Sequence, residues 1–84
     1  MITAAQLRAA RAMLHMDQRT LAKFSDLSLP TIQRMEASEG VIRGNVGSLM
    51  KLVAALDASG IELISDNATS SSGGRGIRLK RPPA

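Results

Sequence analysis

Residue types that carry covalent or metal chemistry are scarce in this sequence. There is no cysteine, which removes thiolate nucleophiles, thiolate metal ligands and disulfides together. His15 is the only histidine, so neither a histidine-built metal site nor a serine–histidine relay is expected. The acidic residues form no cluster. Gly73-Gly74-Arg75-Gly76 lacks the lysine and hydroxyl residue of a phosphate loop and reads as a turn. No enzymatic activity and no cofactor are expected. What remains is non-covalent chemistry: amide, hydroxyl and guanidinium groups between Gln18 and Arg34, with Arg43 a short way beyond.

Those groups need a scaffold, and composition bounds what it can be. A chain of 84 residues supports one small core. With 44% apolar and 21% charged residues it has the balance of a globular domain rather than a disordered one. Phe24 is the only aromatic residue, which argues against the stacking platforms that read RNA or single strands. No apolar run approaches the ~20 residues of a membrane span, and no leader pattern opens the chain, so a cytoplasmic protein without membrane contact is expected. The formal charge of +4 is unevenly placed. Residues 1 to 74 carry seven cations and seven anions, whereas the last ten residues add Arg75, Arg78, Lys80 and Arg81 without an acid. Such a tail either meets a polyanion or is simply solvated.

Local signals divide the chain into four helices and a hairpin. Thr3-Ala4-Ala5-Gln6 has the form of a capping box, opening a first helix from Ala4 to about Leu14 with Leu7, Ala10 and Leu14 on one face. His15 falls where that helix must stop, at a position suited to the left-handed conformation. Asp17 caps a second helix to about Ser25, with Leu21 and Ala22 inward. Ser28 caps a third, to Glu36, with Pro30 in its first turn and Ile32 and Met35 as the inward pair. Glu39 to Gly47 is a loop. Asn45 caps a fourth helix whose stripe is Leu49, Leu52, Val53 and Leu56, closed by Gly60. Ile61–Ile64 and Ile77–Lys80 read as two antiparallel strands around a Ser/Gly-rich loop from Asp66 to Gly74, with Pro82-Pro83 ending the second. Phe24 and the five methionines are expected to pack, Phe24 at the edge of the core. The expected fold is mainly α, a four-helix repressor-like helix-turn-helix domain over residues 1–59 followed by a C-terminal β-hairpin and basic tail over 60–84.

The second and third helices carry the pattern of a helix-turn-helix between Gln18 and Ala37. Counted from Gln18, the fifth position must be small where the helices cross, and it is Ala22. The fourth, tenth, fifteenth and eighteenth join the core, and they are Leu21, Leu27, Ile32 and Met35. The ninth needs positive φ and is Asp26, less common than glycine but tolerated. The eighth, usually apolar, is Ser25.

The runs Met16-Asp17-Gln18-Arg19-Thr20-Leu21-Ala22 and Leu27-Ser28-Leu29-Pro30-Thr31-Ile32-Gln33-Arg34-Met35-Glu36 resemble the XRE family of Cro/phage-repressor-type regulators. The resemblance covers roughly residues 4 to 58. The family's common fifth helix has no counterpart, and the hairpin stands in its place. The resemblance implies a bacterial or phage regulator of transcription with its third helix in the major groove of double-stranded DNA. Arg34 is then placed for a bidentate contact to guanine, worth ~1–3 kcal/mol of discrimination, and Gln33 for a base or phosphate. Leu29, Pro30 and Thr31 can meet thymine methyls, and the Thr31 hydroxyl a phosphate. Gln18 matches the family's phosphate-binding glutamine. Arg19 and Lys23 add charge or are only surface, Ser28 is a cap that also reaches phosphate, and Arg43 lies against the backbone. Arg11 and Glu36 match a structural ion pair that joins the first helix to the end of the third.

One such unit makes few base contacts, so useful specificity calls for a homodimer on two half-sites. The hairpin serves either as the dimer element or to complete the monomer core, with the tail's cations near phosphates. The alternative function is an antitoxin or adaptor that binds a protein partner and autoregulates its operon.

Overall fold

Each helix of this chain starts on a side chain that accepts from its own first turn. The computed structural model describes residues 2–65 and 74–80, in the order α1 (Ala4–Met13), α2 (Gln18–Ser25), α3 (Leu29–Glu36), α4 (Val46–Ala58), β1 (Ile61–Ile64) and β2 (Gly76–Leu79). Thr3, Asp17, Ser28 and Asn45 are the four N-caps, accepting from the amides of Gln6, Thr20, Thr31 and Ser48. Thr3 and Gln6 close a full capping box. The fold is the mainly helical one expected, four helices and a C-terminal antiparallel hairpin.

Hydrophobic staples reinforce three of those starts. Ile2, Met16 and Leu27 each precede an N-cap, and Leu7, Leu21 and Ile32 stand four positions into the helices that follow. Ile2, Leu7 and Ile32 are wholly buried, Leu21 is nearly so, and Met16 and Leu27 pack against the same cluster. Helix ends are as well defined. His15 and Asp26 both take the left-handed conformation, at φ 54° and 57°. Behind each, the following amide reaches back five residues: Met16 to the Arg11 carbonyl at 3.0 Å, Leu27 to that of Ala22 at 2.9 Å. Gly60, at φ 93°, closes α4 in the same region of backbone space.

The core gathers Leu7, Ala10, Leu21, Ala22, Ile32, Met35, Leu49, Leu52, Leu56 and Ile61, together with Ile2 and Ile42. The Ile42 amide donates to the Ile2 carbonyl at 2.9 Å, and Ala4 to that of Gly40 at 3.0 Å, so the loop after α3 is stitched to the start of the chain.

Strand pairing sets Ile61 opposite Leu79, Glu62 opposite Arg78, Leu63 opposite Ile77 and Ile64 opposite Gly76. The second strand thus begins one residue earlier than expected. The hairpin lies on α1 and α4, with Ile61 in the core and Leu63 and Ile77 leaning on it. Gln6, its oxygen committed to the capping box, uses its amide nitrogen to hold the open end of the hairpin, donating to the carbonyls of Ile64 (3.2 Å) and Gly76 (2.9 Å). Of the two roles expected for this element, completing the monomer core is one it visibly performs. The Asp66–Gly73 part of the loop, Arg81 and Pro82-Pro83 lie outside the described residues. Among the described residues no helix is long and apolar enough to cross a membrane.

Two packing expectations fail. Phe24 is 52% exposed. On α2 the buried sector runs from Leu21 to Ala22, and Ser25 rather than Phe24 falls inside it at about 100° per residue. Met13 and Met50 are also exposed, whereas Met35 is buried and Met16 packs on the core.

Candidate nucleic-acid interface

The joint between α2 and α3 is built from four local choices. Leu21 and Ala22 are buried at the crossing. Asp26 turns the chain with a left-handed backbone, and its carboxylate meets Lys51 of α4 at 3.3 Å in an exposed pair. Ser25, where an apolar residue is usual, is 3% exposed and donates its hydroxyl to the Leu21 carbonyl at 2.7 Å, so no polar group is stranded. Ile32 and Met35 then seat α3 on the core.

Glu36 locks this joint to α1. Its carboxylate, 6% exposed, receives Nε and Nη2 of Arg11 at 2.7 and 3.0 Å, and the Gln18 amide at 3.2 Å. Arg11 also donates to the Met16 carbonyl, and Arg8 to the Glu36 carbonyl at 2.6 Å. The hydrogen bond to Glu36 holds the Arg11 guanidinium above its already high ordinary pKa. One carboxylate thereby ties α1, the start of α2 and the end of α3.

With Ile32 and Met35 inward, α3 presents Pro30, Gln33 and Arg34 to the outside. Thr31 is half-buried. Its hydroxyl lies 2.8 Å from that of Ser28 and accepts from Arg34 Nη2 at 3.3 Å. Arg34 is thus folded back along the helix toward the N-terminal turn, the part of a recognition helix that meets base edges. Leu29 leans on the core, and its apolar surface is shared between core and exterior. Arg43 is exposed in the loop before α4 and lines one groove with Thr31, Arg34, Ser38, Asn45 and Ser48. Among the described residues no acid lines that groove. Thr31, Arg34 and Arg43 are therefore brought together.

Gln18 and Arg19 stand at the start of α2, Gln18 half-buried and Arg19 exposed. Two features temper an anion contact there. The Gln18 amide already serves Glu36. The N-cap is Asp17, whose carboxylate accepts from the Thr20 amide at 2.7 Å and is held below the usual aspartate pKa, chiefly by that bond. A negative cap faces any phosphate that approaches.

Two cations of the basic tail are paired inside the molecule. Arg78 Nε meets Glu62 at 3.0 Å across the hairpin, and Lys80 pairs with Asp57 of α4. Arg19, Arg34 and Arg43, by contrast, make no ion pair among the described residues. The long-range bonds of Arg8, Gln6 and Lys51 were not foreseen. Each is a long side chain reaching a backbone carbonyl or a distant element, and spacing carries no signal for that. Among the described residues no group of three acidic or histidine side chains is placed to hold a metal ion. No protein-family model matches the chain, nor does any curated protein.

Proposed function

We propose that this chain is a sequence-specific regulator of transcription of the XRE type, most simply a repressor, that reads a short operator in double-stranded DNA through the major groove as a homodimer. The observation that carries the reading is α3. It is fixed by Ile32, Met35 and Glu36 on its inner side and exposes Gln33 and Arg34 on its outer side. Arg34 and Arg43 converge on one acid-free groove. Guanidinium groups without carboxylate partners suit both guanine edges and phosphates. Gln18, Arg19, Ser28, Pro30 and Thr31 flank that surface and would supply the contacts that set register on the duplex.

Selection of duplexes from a random pool would yield the preferred operator, and fluorescence anisotropy would compare it with a scrambled duplex. Arg34→Ala is expected to cut discrimination by about five- to 160-fold, as the loss of ~1–3 kcal/mol requires, while scarcely changing affinity for the scrambled sequence. Gln18→Ala should weaken both complexes alike, and Arg78→Ala neither. Retained discrimination in Arg34→Ala, or no sequence preference in the wild type, rejects the reading.

A further inference from the structure

Helix α4 is apolar on two sides, and the fold covers only one of them. Leu49, Leu52, Ala55 and Leu56 are buried. On the opposite side Val46 and Met50 are 67% and 61% exposed. With Val53, Ala54, Asp57 and Leu63 of β1, Met50 lines an open, mainly apolar groove. At about 100° per residue Val46, Met50, Val53, Ala54 and Asp57 form a single stripe along α4.

We propose that this stripe is the contact between two copies of the chain, α4 against α4 about a two-fold axis. Charge favours a second copy as the occupant. A two-fold contact sets a patch against itself, so a patch with net charge repels its own image. Among the described residues Asp57 alone of the lining side chains is ionisable, and its carboxylate is paired with Lys80. Placement favours it as well. Ser48, on the other side of α4, lines the groove shared with Arg34 and Arg43. A two-fold axis through the stripe therefore leaves both α3 helices uncovered, an argument that rests on the proposed function; the apolarity and the charge balance do not.

Sedimentation equilibrium on the full chain tests the proposal, with Met50→Glu, Val46→Glu and Leu79→Glu compared with the wild type. Both α4 side chains are exposed, and an acid at Val46 suits a helix N-terminus, so circular dichroism should report an unchanged fold. The wild type and Leu79→Glu are expected at twice the chain mass of 8.9 kDa, and both α4 variants at the chain mass itself. A wild type that stays monomeric at hundreds of micromolar overturns the proposal. So do α4 variants that stay dimeric, or a Leu79→Glu variant that alone dissociates. Arg34→Ala should remain a dimer whatever it does to DNA binding, which separates failure of this contact from failure of the DNA reading.

Discussion

The helix-turn-helix surface and the hairpin dispose of their cations in opposite ways. By charge count the two parts are alike: residues 1–59 carry seven cations and five acids, and residues 60–84 four cations and two acids. In the folded protein Arg78 and Lys80 are matched by Glu62 and Asp57, one across a strand pair and one on α4. In the helical part Glu36 pairs with Arg11 and Asp26 with Lys51. Among the described residues Arg19, Lys23, Arg34 and Arg43, at or near the α2–α3 unit, make no ion pair. Net charge by segment therefore does not tell the two ends of the molecule apart. What matters for a polyanion is the charge left after pairing, and this depends on register and helix packing.

The contrast also predicts where stability resides. Ile61 and Leu79 are opposite one another in the hairpin, yet Ile61 is 2% exposed and Leu79 45%. Ile61→Ala should cost about 3 kcal/mol in urea unfolding, as large-to-small changes in a core do. Leu79→Ala should cost under about 0.5 kcal/mol, the usual scale for surface changes. Equal effects would mean that the hairpin is an appendage rather than part of the core. Glu36→Gln comes next in size. It keeps the shape but leaves Arg11, 26% exposed, without its partner. Removing one member of a buried pair costs ~3–5 kcal/mol, and access of Arg11 to water should reduce this to about 2 kcal/mol. Because Gln18 shares the same carboxylate, DNA affinity should fall as well, measured under conditions where the variant is fully folded. Lost stability with unchanged affinity would show that Gln18 needs no positioning by Glu36.

Much of this fold was legible because its signals are local. Thr3, Asp17, Ser28 and Asn45 are caps wherever the chain goes next, and the left-handed turns at His15 and Asp26 follow from where the apolar periodicity stops. Ile2 was overlooked although its signal was present, an isoleucine before a cap with Leu7 at the fourth position of the helix that follows. Phe24 was misplaced because α2 is only eight residues long, and its narrow inner sector went to Ser25. In the candidate site, residue type and outward direction could be read from the period of α3, since Ile32 and Met35 dictate where Arg34 goes. The bonds of Arg34 to Thr31 and of Gln18 to Glu36 could not, because they depend on side-chain torsions that periodicity does not constrain. Gln6 is the clearest case. Its capping-box role is local, whereas its grip on the hairpin joins residues 58 and 70 positions apart.

Asp17 offers the smallest effect and the finest test of the charge contrast, since it adjoins Gln18 and Arg19 and makes no ion pair among the described residues. Its pKa is depressed by the Thr20 amide. The carboxylate therefore stabilises the fold at pH values above the unfolded aspartate pKa, about 3.9, and this contribution is lost as pH falls through the lower folded value. Asp17→Asn preserves an N-cap oxygen of equal rank. Thermal melts should show the variant slightly less stable than wild type at neutral pH, the two converging in acid as the wild-type carboxyl protonates. Binding should move the other way. With the negative cap gone from the start of α2, affinity for any duplex should rise a few-fold at low salt, and the gain should shrink as salt screens it. Unchanged affinity would mean that Gln18 and Arg19 do not approach phosphate. A gain confined to the selected operator would instead bring the start of α2 close to the bases, extending the reading surface beyond α3.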